Sequence, residues 1–89
     1  MREFVLHGAE IHSRPEFHQQ IAELMQFPEY YGRNLDALKD VLTDIAEDTC
    51  LIIAESAALE ETLPTYYRSL GRVMKAASAE NEHFTWRTE

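Results

Sequence analysis

The run Cys50-Leu51-Ile52-Ile53-Ala54 constrains the fold more than any other part of the chain. Five apolar residues without polar alternation, bounded by Thr49 and Glu55, read as a strand covered on both sides, as at the centre of a parallel sheet. Parallel neighbours need long crossovers, usually helical. The flanking sequence supplies both strands and crossovers. Arg2 to His7 reads as a first strand through Phe4, Val5 and Leu6, and Gly8 ends it. His83 to Thr88 alternates Phe84 and Trp86 with polar residues, as an edge strand does. Between the first two strands, Ser13 and Glu16 have capping-box spacing and Pro15 suits a first helical turn. That helix runs to about Met25, with Phe17, Ile21, Leu24 and Met25 on one face. Asn34 caps a second helix that ends near Glu47. After Glu55, Ser56 caps a short helix carrying Leu59 and Leu63. Pro64 ends it and opens a last helix, Thr65 to Ala79, with Tyr66, Tyr67, Leu70, Val73, Met74 and Ala77 at helical spacing. Gly71 within it suggests close packing on a neighbour, and Asn81 is its C-terminal cap. Right-handed crossovers in sequential order place the helices on one side of the sheet. The expected fold is therefore α/β, two layers, with a three-stranded parallel sheet of order 1-2-3, about four helices, and Thr49–Glu55 in the middle.

Eighty-nine residues form one domain, 1–89. By surface scaling such a chain buries roughly 64% of its unfolded surface, enough for one modest core without metal or disulfide staples. The single cysteine excludes an internal disulfide and suits a reducing cytoplasm. No apolar run approaches the length of a membrane span, and no basic-then-apolar leader is present. Sixteen acidic residues against eight Lys and Arg give a net charge of −8. That argues against direct binding of nucleic acid, which needs a basic surface, and favours a basic partner.

Four of these acids line up in and just beyond Pro28-Glu29-Tyr30-Tyr31-Gly32-Arg33-Asn34-Leu35-Asp36-Ala37-Leu38-Lys39-Asp40-Val41-Leu42. Pro28 keeps Phe27 extended, and Gly32 permits a tight bend. In the helix after Asn34, Leu35, Leu38, Val41, Leu42 and Ile45 share one arc at the helical period. Asp36, Asp40, Asp44 and Glu47 share the opposite one, roughly 150° away. A solvated helix face usually mixes signs at i,i+4, whereas Asp36, Asp40 and Asp44 repeat the same sign at that spacing, which disfavours the helix. Tyr30 and Tyr31 precede them, and loop tyrosines are large, rigid and amphipathic, which suits recognition. One of the pair is equally able to pack inward as a plug for the loop.

Other chemistries fit less well. Asp36 and Asp40 alone do not supply the six or more oxygen ligands a hard cation requires. The four histidines lack zinc spacing with partner cysteines. Cys50 falls in the central strand, where a thiol is ordinarily buried and inert. His18 lies beside the apolar arc of its helix and reads as structural. The three isolated glycines make no phosphate loop. No catalytic residue, metal or cofactor is assigned, and the expectation is a binding protein that is a monomer when free.

The segments Pro28-Glu29-Tyr30-Tyr31-Gly32, Asn34-Leu35-Asp36-Ala37-Leu38 and Asp40 resemble the binding loop and helix of the barstar family of intracellular ribonuclease inhibitors. A thinner likeness runs from Gly8 and Ile11 through His18 to Glu80 and Thr85. The resemblance implies the barstar-like fold and a basic ribonuclease as partner. It places Tyr30, Gly32, Asn34, Leu35, Asp36 and Asp40 among the contact residues, with Asp40 as the acid that enters the enzyme's phosphate-binding pocket. It assigns Glu80 a supporting role from the last helix. Tyr31, Lys39 and Asp44 complete the candidate partner-binding set. Carboxylates about 6 Å apart along one helix face can stand in for successive RNA phosphates. Three positions depart from the best-known family pattern. Lys39 and Ile45 stand where aromatics are found, and Ala76 lacks an acid. Interface positions set specificity, so a different but related basic nuclease is expected. The rival reading is an immunity or binding module for a basic toxin or protein of another chemistry; an adjacent nuclease or toxin gene would favour inhibition.

Overall fold

In the computed structural model, which describes Met1–Glu89, the apolar run forms the middle strand. Strand β1 (Arg2–His7) is followed by a 3-10 turn (Gly8–Glu10), α1 (Arg14–Met25) and α2 (Leu35–Thr43). Strand β2 (Thr49–Ala54), α3 (Ser56–Thr62), α4 (Pro64–Glu80) and β3 (Phe84–Thr88) complete the chain. The sheet order is β1-β2-β3 and both pairings are parallel. The register sets Phe4 beside Leu51, Leu6 beside Ile53, and Leu51 beside Trp86. These residues share one face because side chains alternate along a strand. With Phe84 they meet Phe17 and Ile21 of α1, Leu38 and Leu42 of α2, Leu59 of α3, and Leu70, Met74 and Ala77 of α4 in one core.

The two-sided burial of β2 is real, but its second cover is not a helical layer. Cys50 and Ile52 belong to the other face, outside the main core, yet are only 6% and 4% exposed. Neighbouring strands shield them; Arg87 of β3 brings its Nη1 to 3.8 Å from the Cys50 sulfur. One layer of helices and an apolar central strand are therefore compatible.

Local chemistry sets most boundaries. Ser13 Oγ accepts from Glu16 N–H at the start of α1, while the Glu16 carboxylate reaches back to His12 N–H instead of closing the box on Ser13. Gly8 lets the end of β1 approach the β2–α3 junction: a Cβ there would lie 2.7 Å from the Glu55 carbonyl oxygen. Two expectations need correction. Ser56 is inside α3, not its cap; the N-cap is Glu55 in a left-handed conformation, and the Ser56 hydroxyl donates to the Glu89 carbonyl. Gly71 makes no close contact, since a Cβ at that point would meet nothing within 4 Å. No helix is long and apolar enough to cross a membrane.

Candidate functional site

Helix α2 presents the acids because its other face is committed to the core. Leu38 and Leu42 are fully buried, a burial worth about 2 kcal/mol each. Asn34 caps the helix, its Oδ1 accepting from Ala37 N–H at 2.8 Å, and its Nδ2 donates to the Gly32 carbonyl at 3.2 Å. One side chain thus joins loop to helix. The tight bend does not use Gly32 in the expected way: the positive φ of 55° falls on Arg33. Gly32 serves proximity instead, since a Cβ would stand 3.2 Å from that of Ala37.

The helix ends at Thr43, one turn before the sequence expectation, with Asp44 as its C-cap. Asp36, Asp40 and Asp44 remain an exposed row, for Asp44 N–H still bonds back to Asp40 and Val41. Glu47 leaves the row, lying beyond the helix and paired with Arg2 at 3.3 Å. None of the chain's ion pairs uses Asp36, Asp40 or Asp44. Asp44 also sits at the helix end where negative charge is disfavoured, with no basic residue in the last turn.

What stops α2 short is a residue 39 positions later. The Asn81 side chain is buried and its Nδ2 donates to the carbonyls of Leu42 and Ile45, each at 2.9 Å. Its Oδ1 accepts from His83 N–H at 2.9 Å. The C-cap of α4 therefore also binds the Leu42 carbonyl in the last turn of α2 and the Ile45 carbonyl just beyond it. Sequence identified the cap and missed the clamp.

The two loop tyrosines point opposite ways. Tyr30 is 87% exposed and Tyr31 is 7% exposed. The Tyr31 ring packs edge-on to Phe27, and its hydroxyl meets His18 Nδ1 at 2.6 Å. The other His18 nitrogen meets the Tyr66 hydroxyl. A neutral imidazole donates through one nitrogen and accepts through the other, so it suits two hydroxyls. Burial lowers the His18 pKa, favouring that neutral form, and raises those of Tyr31 and Tyr66. Tyr31 thus anchors the loop from within, and Tyr30 is the aromatic surface the loop offers. Leu35 is half-buried against the core.

Lys39 and Glu80 meet across the α2–α4 seam, Nζ to Oε2 at 2.9 Å. That hydrogen bond and the Glu80 charge raise the Lys39 pKa, with Asp40 and Asp36 adding to the effect. On the opposite side of the row, an apolar groove runs between loop and helix, walled by Phe4, Met25, Phe27, Val41 and Ile45, with Tyr30 and Asp44 also lining it. Its other charge, Arg2, is engaged by Glu47 and by the Thr49 hydroxyl.

Fold and site together define a class: two-layer α/β proteins presenting an acidic helix and a tyrosine-tipped loop side by side. The family model described as Barstar (barnase inhibitor) matches residues 1–88, and the chain belongs to that family. It is also 30% identical over 81 residues to YrdF of Bacillus subtilis (strain 168), provisionally named a ribonuclease inhibitor, covering 90% of this chain and 89% of that protein. Both descriptions point to an inhibitor rather than an enzyme.

Proposed function

We propose that the protein binds a basic ribonuclease and occludes its active site, with the Asp36–Asp40–Asp44 row taking the place of successive RNA phosphates. The observation that carries this reading is the row itself: three exposed carboxylates, one helical turn apart and free of internal ion pairs, beside an exposed tyrosine. A ribonuclease cleft holds RNA phosphates with cationic side chains, and those groups bind carboxylates by the same charge-assisted hydrogen bonds. Asp40, flanked by acids on both sides, enters deepest. Tyr30, Gly32 and Asn34 shape the loop edge of the contact, and Leu35 supplies apolar surface next to it. The buried free thiol of Cys50 is compatible with a reducing cytoplasm, where the protein acts as a monomer until it meets the enzyme.

The test is a stoichiometric titration of a basic ribonuclease of the barnase type with the purified protein, following RNA cleavage. The reading requires activity to fall to zero near one equivalent. Full activity with a panel of such enzymes in excess protein would remove it.

A further inference from the structure

A cation sits beside the acid row, and its position is controlled from another helix. Lys39 follows Asp36 by three residues, a spacing at which an ammonium on a helix reaches the carboxylate. Left to itself, Lys39 would lie over Asp36 and cancel part of the row. In the structure it forms no ion pair with Asp36 or Asp40; its ammonium is drawn across the seam to Glu80, the last residue of α4. The next residue, Asn81, bonds the Leu42 and Ile45 carbonyls. The end of α4 that carries Glu80 is therefore tied to the segment that bears the row.

Resting on the ribonuclease-inhibitor reading, we propose that Glu80 is a positioning residue. It acts through Lys39, holding that ammonium out of direct contact with the row so that Asp36, Asp40 and Asp44 meet the enzyme without a paired cation. This differs from the supporting contact that the family resemblance assigns to Glu80. A residue that touches the enzyme matters whatever stands at position 39. A residue that acts through Lys39 matters only while Lys39 is there.

Two measurements separate these cases. The first needs no enzyme: carboxyl titration of Asp36 and Asp40 by NMR in the free protein, in Glu80→Gln, and in Lys39→Met/Glu80→Gln. Freed Lys39 should lower the Asp36 midpoint by about 0.2–0.4 pH units in Glu80→Gln, the scale of an exposed helical ion pair, and the double variant should lack this fall. The second is binding to barnase, the enzyme named in the family's description. Glu80→Gln should weaken it about tenfold with Lys39 present and less than about twofold in the Lys39→Met background. Equal losses in the two backgrounds, with melts showing all variants folded, would mean that Glu80 touches the enzyme itself. An unchanged Asp36 midpoint in Glu80→Gln would overturn the inference whatever barnase does. If no form binds barnase, that enzyme is excluded as the partner, and the carboxyl titration still decides whether Glu80 governs Lys39.

Discussion

The Nδ1 of His18 lies 2.6 Å from the hydroxyl of Tyr31, tying α1 to the loop that leads into the acidic helix. Tyr31 is thereby withdrawn from the surface while its neighbour Tyr30 is left standing in solvent. The two adjacent tyrosines should give opposite phenotypes. Tyr31→Phe leaves a buried imidazole nitrogen without its partner and should cost about 1–3 kcal/mol of stability. Tyr30→Ala should leave stability within about 0.5 kcal/mol, since almost all of its surface is exposed. It should weaken ribonuclease binding by about 2 kcal/mol, the scale of an aromatic anchor. Urea unfolding and inhibition titration of both variants check the pair.

The same histidine makes stability depend on pH. Its folded pKa is depressed by burial, so between the unfolded value and the folded one the unfolded chain binds the proton and the native protein does not. The His18 contribution is complete above about pH 6.5 and is lost as pH falls through the folded pKa. His83 opposes this weakly. Its hydrogen bond to Asp48 raises its pKa, so its contribution is present below about pH 6.5 and is lost as pH rises through the folded value. Unfolding free energies between pH 8 and 5 should fall on the acid side in the wild type. The His18→Gln variant should be less stable at pH 8 and show a flatter fall.

Gly71 offers a gain. It lies inside α4 with open space where a Cβ would go, and its φ is not positive. Gly71→Ala should stabilise the protein by about 0.5–1 kcal/mol through helix propensity and a less flexible unfolded chain. A thermal melt that moves down would show that this surface carries a contact the glycine permits.

With a net charge of −8 and an unpaired acid row, association with a basic enzyme should be steered electrostatically. Stopped-flow mixing should show the association rate falling about tenfold or more between low and physiological ionic strength, with dissociation changing much less. A flat association rate would remove the steering.

The features legible in the sequence are those set by neighbours in the chain. The apolar run of β2, the Asn34 and Ser13 caps, the Pro64 boundary and the i,i+4 acids each follow from residues a turn or less away. What escaped depends on distant partners. Helix α2 stops at Thr43, with Asn81 holding the carbonyls of Leu42 and, just past the helix, Ile45, and no local signal marks that. Ser56 looks like a cap, but its hydroxyl is engaged by Glu89, 33 residues on. In the sequence Lys39 and Glu80 are two separate candidates for the partner surface; that they hold one another is visible only once α2 lies against α4. The choice of Tyr31 over Tyr30 as the plug likewise rests on His18, thirteen residues earlier.

If the acid row meets an enzyme's cations, Asp40, at its middle, carries the largest share of the contact. Asp40 is exposed and unpaired, one turn from both Asp36 and Asp44, so its removal relieves like-charge repulsion and raises helix propensity. In a complex it would be desolvated among cationic groups, and truncating one side of such a buried pair costs about 2–5 kcal/mol or more. That rule is itself drawn from barnase–barstar, the type pair of this family. The measurement is a thermal melt of Asp40→Ala together with its inhibition titration against a ribonuclease that the wild type inhibits. Asp40→Ala should melt at or slightly above the wild-type temperature and inhibit at least about thirtyfold more weakly. Wild-type inhibition by Asp40→Ala, or a loss of inhibition that merely follows a collapse in stability, would contradict it.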